Sequence, residues 1–458
     1  MKPLLLICLS YVAFVSLAVA DERPNILLIF TDDQGIHDVG CYGSEIKTPH
    51  IDSLATQGLK FNNWYSASSI CTPSRYGLLT GRNPSRSRDQ LLSALMFLSD
   101  EDRTRGIHPG ETTIAATLGG AGYQTALIGK WHLGHGGKQF LPTRHGFDYF
   151  VGHTGGCIDF FTMRYGISAD WYRNEKLIDV TGYATDVIQD EAVDFLKKRD
   201  PSRPFFALLS FNAPHFGKGW NDGESTTVNQ LQPPPEDLAR VAYIDDITRR
   251  KYAAKVVNLD DAIGGVLDSL DDLGLSENTL VIFLTDHGGD PKYGGSNAPY
   301  RGDKATLFEG GIRVPCLMRW PRNISGGVES DELCWSVDLA PTLSKLAKAP
   351  QPLPPYDGAD FSPLLRGQPW KSPSRYLYWQ LGKHDELGRG NWTALRSNEW
   401  KYVQDQVGNE YLFDLAKDPL EKHNLVFDKN EKSDQHQDIK RQLARQAKAM
   451  RNEFNQSR

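Results

Sequence analysis

Residues 24–35 read PNILLIFTDDQG. The run NILLIF, 25–30, has the length and apolar character of a strand, and it ends directly in Thr31, Asp32 and Asp33. The same layout returns three times. QTALI at 124–128 leads to Lys130 and His132 in GKWHLG, FFALLSF at 205–211 leads to His215 in NAPH, and TLVIFL at 279–284 leads to Asp286 and His287. Between these runs, apolar residues recur at helical spacing over 112–121, 183–197 and 251–273. This alternation, from residue 21 to about 345, predicts an α/β domain with a mostly parallel central sheet. Ligands of open α/β sheets bind beyond the carboxyl ends of the strands, so four such ends converging would build one site.

The 458 residues, 40% apolar and 24% charged, suffice for a large core and more than one domain. A formal charge of -6 and no long basic block argue against nucleic acid or a polybasic membrane patch as partner. The first 20 residues, MKPLLLICLSYVAFVSLAVA, have one charge at Lys2, an apolar centre and a small-x-small ending at Ala18 and Ala20. That is the pattern of a secretory signal cleaved after Ala20; an uncleaved anchor helix is its alternative. No other segment is apolar enough to cross a membrane, so the expectation is an exported chain, secreted or periplasmic, with no membrane span after cleavage. Cleavage removes Cys8 and leaves Cys41, Cys71, Cys157, Cys316 and Cys334, an odd number, so at least one is unpaired or modified.

Past the α/β part, KAPQPLPPYDGADFSP at 348–363 reads as a connection. SRYLYWQ, WTALRSNEWKYVQ and EYLFDL then read as strands of a smaller antiparallel sheet, closed by an amphipathic helix in DIKRQLARQAKAMRNEF. The predicted organisation is a signal over 1–20, a main domain over 21–370 and a C-terminal α+β subdomain over 371–458. The Gly-, Asn- and Pro-containing segment 217–246 reads as a long loop.

Asp32, Asp33 and Asp286 brought together would repel one another unless a cation joined them, and His287 adds a nitrogen ligand. Mostly oxygen ligation suits Ca²⁺ or Mg²⁺, and the histidine admits Mn²⁺; a turn or helix cap is the bland reading of Asp32-Asp33. Lys130, His132 and His215 gain weight from their places at strand ends. Lys304, in the Gly-rich YRGDKATLFEGGIRVP, could bring an ammonium to an anion. CTPSRYGLLTGR, 71–82, places Cys71 at a predicted helix N-terminus with Pro73 in the first turn and Arg75 one turn on. An anionic nucleophile or substrate would be stabilised there.

CTPSRYGLLTGR resembles the signature of the type I sulfatases, C-x-P-S-R-x-x-x-L-T-G-R, and matches it at every fixed position. The resemblance runs in order through PNILLIFTDDQG, GYQTALIGKWHLG, NAPH, TDHGG, FEGGIRVP and YLFDLAKDPLEKHNL, nearly the whole mature chain. It implies an alkaline-phosphatase-like fold: a large, mostly parallel mixed sheet flanked by helices, with a smaller C-terminal antiparallel sheet and helix. It implies that Cys71 is oxidised by a maturation enzyme to Cα-formylglycine, whose hydrated form is the nucleophile. Asp32, Asp33, Asp286, His287 and the modified Cys71 would hold one divalent cation, usually calcium. Many members carry Asn where this chain has His287.

By the same resemblance, Arg75, Lys130 and Lys304 would surround the sulfate, Asp286 would accept the proton of the attacking hydroxyl, and His215 with Lys304 would protonate the leaving oxygen. His132 would then deprotonate the remaining geminal hydroxyl and expel sulfate. His153, in VGHTGG, lies near a further substrate-binding position of the family. The implied activity is hydrolysis of O-sulfate esters. A phosphonate or phosphate ester hydrolase of the same superfamily and a non-catalytic relative that binds sulfated glycans are the alternatives. Trp64, Trp171, Tyr172, Trp220 and Tyr300 offer faces for sugar rings, and GGSNAPYRGDK resembles segments of enzymes acting on sulfated galactosamine or related polysaccharides. Sulfated carbohydrate is therefore the expected substrate class.

Overall fold

A computed structural model describes residues 23–383, 390–427, 429 and 432–456; the expected signal at 1–20 lies outside them. Among the described residues, a ten-stranded sheet forms the centre. Its five middle strands, in spatial order Thr279–Thr285, Asn25–Asp32, Phe205–Pro214, Gln124–Lys130 and Tyr149–His153, are all parallel. Antiparallel strands flank them: Cys316–Arg319 on one side, Tyr172–Arg173 on the other. The sheet is thus mixed and mostly parallel, with the predicted strands one to three residues longer than their apolar runs.

The middle strands are buried on both faces, and their alternation divides the core. Ile26, Leu28 and Phe30 face one layer, with Tyr76, Leu118 and Leu343 from the helices Cys71–Thr80, Ile114–Gly120 and Leu339–Leu346. Leu27 and Ile29 face the other, with Leu54, Ile188 and Ile263 from Pro49–Thr56, Ala184–Lys198 and Ile247–Asp272. Strands covered on both sides in this way hold few polar residues along their length, Thr125 and Ser210 among them, which is why the charged residues cluster where the strands end.

The smaller sheet joins Tyr376–Leu381, Trp392–Ser397, Trp400–Gln404 and Glu410–Asp414, all antiparallel. Leu377, Trp379 and Phe413 pack toward Tyr65, Ile70 and Phe308 of the main sheet's surroundings. Tyr378, Leu395 and Leu412, on the opposite face, are covered by Leu443, Ala447 and Phe454 of the helix Ser433–Gln456. The segment 217–246 is not the expected loop. It forms a hairpin, Gly217–Asn221 with Thr226–Gln230, and then the helix Pro235–Arg240. Gly217 and Gly219 lie in a strand, Gly223 in the turn, and Pro235 starts the helix, positions that composition alone does not separate from loop. Among the described residues, no helix is long and apolar enough to cross a membrane.

Candidate active site

The strand Asn25–Asp32 runs in register with Thr279–Thr285 along its length, so Thr31 pairs with Thr285 and both chains reach the same edge together. Against Phe205–Pro214 the register slips between Phe30 and Asp32. Such an irregularity re-aims side chains at a sheet's edge. Asp33 then takes φ 60°, as His132 takes φ 57°, left-handed conformations that cost a non-glycine residue energy and gather at functional sites. Across the sheet, Gly129 and Gly152 let neighbouring strands close in: a Cβ on Gly152 would stand 1.9 Å from the Gly129 carbonyl oxygen. Lys130 and His153 follow side by side.

Cys71 is the first residue of the helix Cys71–Thr80, with Ile70 extended before it. Pro73 sits in the first turn, where its missing N–H breaks no helical bond. Gly81, at φ 65°, ends the helix and returns its N–H to the Gly77 carbonyl. The helix aims its N-terminus at the strand ends. Cys71 Sγ lies 3.3 Å from His287 Nε2, and Ser74 Oγ donates to the Asp286 carbonyl at 2.5 Å.

Around Cys71 the charges alternate. Lys130 Nζ meets Asp32 Oδ2 at 2.5 Å, and Lys304 Nζ meets both oxygens of Asp33 at 2.7 Å. Arg75 Nη2 stands 3.4 Å from both Asp32 Oδ1 and Asp286 Oδ2, while its Nη1 donates to Ser210 Oγ at 2.7 Å. His287 Nε2 is 3.4 Å from Asp33 and 3.6 Å from Asp286, and His215 Nε2 is 3.5 Å from Asp33. All of these side chains are buried.

One oxygen of Asp32, one of Asp33, Cys71 Sγ and a His287 nitrogen lie within 4.8 Å of one another. Asp286 borders this group through His287 and Arg75 without belonging to it. Oxygen, sulfur and nitrogen converging on one buried point fit a divalent cation, and oxidation of the thiol to an aldehyde hydrate would make the set oxygen-rich. Burial, with Asp32 and Cys71 nearby, pushes Asp286 well above the usual carboxylate range. His287, despite burial, is lifted to about 9 by Asp286 and Cys71. The His287 shift registers the negative charge around it, and a cation would offset both that charge and the burial that disfavours ionised Asp286.

The cysteine itself is drawn the other way. Burial raises its pKa, but Lys130 and Lys304 outweigh burial and bring it down to about 5 from 9.0. Among the described residues the other four cysteines are unpaired thiols as well, three of them buried. Burial pushes Cys157 up to about 12 and Cys41 to about 12, so Cys71 differs in kind.

His132 donates through Nε2 to the Leu95 carbonyl at 2.9 Å, because a carbonyl can only accept. Its Nδ1 therefore carries the lone pair, and it has no protein partner. Burial, then the charge of Lys130, lowers its pKa well below 6.5 and keeps the ring neutral. Burial holds His215 at about 3.

A cavity opens above Cys71, walled by His132, His215 and Lys304, with Phe97, Tyr165, Phe216 and Tyr293 as its aromatic faces. Arg75 and Lys130 are buried behind it. His153 is fully buried, stacked on Trp171 at 6.1 Å, and is not among the cavity walls. The aromatic residues expected to meet sugar are elsewhere: Trp64 packs edge-on to Phe61 and Phe361, Tyr172 stacks on Phe150, and Arg313 covers Tyr300. None of Trp64, Trp171, Tyr172, Trp220 and Tyr300 lines the cavity, since the strand and core positions they occupy face away from it.

Two supporting residues escaped the sequence reading. Ser210, at the polar end of FFALLSF, orients Arg75. Lys255, fully buried in the apolar run YAAKVV, donates to the His215 carbonyl at 2.7 Å. A lysine on an otherwise apolar helix face was the available signal for the second.

Comparison with known proteins identifies the family. The family model described as Sulfatase matches residues 24–349, and that described as N-sulphoglucosamine sulphohydrolase, C-terminal, matches 300–452. Steryl-sulfatase of Rattus norvegicus is 31% identical, covering 92% of this chain and 88% of that protein. N-acetylgalactosamine-6-sulfatase of Homo sapiens is 32% identical, covering 89% and 82%. Among solved structures, Ps i-CgsB in complex with k-i-k-neocarrahexaose superposes with a TM-score of 0.81 at 29% identity, covering 94% of this chain and 93% of the other.

Proposed function

The chain belongs to the sulfatase family and is a sulfuric ester hydrolase, and we propose that it acts on sulfated carbohydrate through a Cα-formylglycine made from Cys71. The observation that carries this reading is the thiol at a helix N-terminus, buried among Lys130, Lys304 and Arg75 beside three carboxylates. Four of the proposed ligands share one point; with Asp286 they would hold Ca²⁺. When bound, such a cation neutralises the carboxylates and polarises sulfate oxygens.

The chain's own residues supply the rest. Release of Lys130 and Lys304 toward an entering sulfate lets their charge stabilise its non-bridging oxygens, with Arg75 held in place by Ser210. Asp286 accepts the proton of the attacking hydroxyl at residue 71. Lys304, on the cavity wall with His215, keeps its proton and gives it to the departing oxygen; His215, neutral while the cavity is empty, shares that role once an anionic substrate has raised its pKa. His132 presents a bare Nδ1 to take a proton from residue 71 in the releasing step.

The likeness to a steryl-sulfatase and to an N-acetylgalactosamine-6-sulfatase is of similar strength, so sugar is argued from the cavity and from the carrageenan-oligosaccharide complex. Four aromatic faces around a polar floor suit a pyranose ring. Export through a signal at residues 1–20, and a main domain over 21–370 with a subdomain over 371–458, complete the reading. The test is the mass of the tryptic peptide 61–75 from the native host. Sulfur replaced by an aldehyde oxygen at Cys71 is expected; an unmodified thiol in active protein would overturn the mechanism.

A further inference from the structure

Lys218 is the third residue after His215 and lies on the hairpin strand Gly217–Asn221. It lines the cavity above Cys71, and it is only 8% exposed. Its Nζ donates to Asn229 Oδ1 at 2.8 Å and lies 5.3 Å from the centre of the Tyr165 ring. Asn229 in turn donates to the Tyr293 hydroxyl at 3.1 Å, so the ammonium is fixed by a chain of cavity residues. Of the other lysines at the site, Lys130 is neutralised by Asp32 and Lys304 by Asp33, while Lys292, also on the wall, is exposed and lies over the Tyr293 ring. Among the described residues no carboxylate forms an ion pair with Lys218; one neutral amide oxygen and a ring face are a poor exchange for the water that an ammonium gives up on burial.

Resting on the sulfatase reading above, we propose that Lys218 is an anion subsite on the leaving-group side, so that the substrate carries a second oxyanion, a sulfate ester or a carboxylate, besides the sulfate that is cut. The side is argued from the cavity: Lys218 shares its wall with His215, the group that faces the departing oxygen, whereas Lys130 and Arg75 are buried behind Cys71 and do not line it. Beyond Tyr165 and Lys218 the cavity continues into a trough past Ser99, Arg105 and Thr227, which gives room for a further sugar. The carboxylate on the cavity wall is Asp290, whose Oδ1 accepts the Lys292 N–H at 3.0 Å. It repels a second anion from its own part of the wall and so adds to the selection made by Lys218.

The experiment compares full-length enzyme carrying modified Cys71 with its Lys218→Met and Lys218→Arg variants on three probes: 4-nitrophenyl sulfate, a galactose disulfate, and a sulfated disaccharide ending in a uronate. The readout is the ratio of kcat/KM on a dianionic probe to that on 4-nitrophenyl sulfate. Lys218→Met is expected to lower that ratio by about 10- to 100-fold, the range of a lost charge-assisted contact, and Lys218→Arg to restore most of it. The probe whose ratio falls identifies the second anion as sulfate or carboxylate. A ratio unchanged by Lys218→Met on both dianionic probes, or one that Lys218→Arg fails to restore, overturns the subsite. If wild-type enzyme cleaves neither sugar probe, the sulfated-carbohydrate reading fails separately. Calorimetric Kd values for the dianionic probes then decide the subsite by the same ratio of wild type to variant.

Discussion

At Cys71 the chemistry is set by charges that belong to its neighbours. Lys130 and Lys304 hold the thiol at about 5 against its burial, whereas Cys157, nearly as buried, is pushed up to about 12. His132 is made a base by the opposite device, a donor bond to Leu95 that leaves Nδ1 bare. On the proposed mechanism, His132→Ala lowers kcat by about 10²–10⁴-fold, and intact-mass measurement shows the chain carrying one retained sulfate. Loss of rate with no retained sulfate would place His132 elsewhere in the reaction. His145 offers a pH test away from the cation site. Burial lowers it to about 4 from 6.5, although the Gln139 carbonyl at 3.0 Å works the other way. Above pH 6.5 the ring is neutral in both states and has no effect on stability. As pH falls from 6.5 to 4 the unfolded chain binds the proton and the folded one does not, so stability is lost in that window. His145→Gln should therefore gain on wild type by up to about 3 kcal/mol between pH 6.5 and 4 in urea unfolding. A difference that stays constant with pH would refute the assignment.

Among elements, the contact that most affects the site lies between the small sheet and the segment bearing Lys304. Lys401, on the strand Trp400–Gln404, is fully buried and pairs at 2.8 Å with both Glu309 and Glu421. Glu309 begins the short helix Glu309–Ile312, five residues after Lys304, and also receives the Tyr65 hydroxyl at 2.5 Å. The Glu309 N–H donates to Glu421 at 2.6 Å, closing the triad. Burial and the charge of Glu309 raise Glu421 to about 7, even with Lys401 beside it. Lys401→Met leaves two carboxylates facing each other in a dry interface and should destabilise the protein by about 3–5 kcal/mol. The triple change Lys401→Met, Glu309→Gln, Glu421→Gln should recover part of that loss, because both buried carboxylates are then neutral and Arg313, which loses Glu309, keeps the Asn62 carbonyl as its partner. Thermal unfolding of the two variants checks this, and a triple variant less stable than Lys401→Met would contradict it.

Over the whole molecule, what was legible in the sequence was whatever lies along a buried strand. NILLIF, QTALI, FFALLSF and TLVIFL have to be apolar on both faces, so the first polar residues after each mark the sheet's edge and name Asp32, Lys130, His215 and Asp286. The cavity above that edge was less legible. Its walls come from the hairpin Gly217–Asn221 with Thr226–Gln230 and from the segment carrying Phe97, and no local pattern says which loop folds over which strand end. Trp64 and Trp171 were misleading for the same reason, since a large aromatic side chain reads alike in a core and on a sugar-binding face. The convergence of strand ends also ties stability to the cation. On the proposed reading, the crowding of buried carboxylates, with burial and Asp32 raising Asp286 and the attraction of Asp286 and Cys71 raising His287, is tolerated in the folded chain and would be relieved by a divalent ion. Removing the ion with a chelator should abolish sulfate release and lower the melting temperature, while Ca²⁺ at about 100 times its Kd should restore about 2.7 kcal/mol. Asp32→Asn should make the melting temperature insensitive to chelator and to Ca²⁺ alike, because it removes a ligand and the partner of Lys130 together. A wild-type melting temperature unmoved by either treatment would mean that Lys130, Lys304 and Arg75 alone balance the three carboxylates, and the cluster would then be an ion-pair network without a metal.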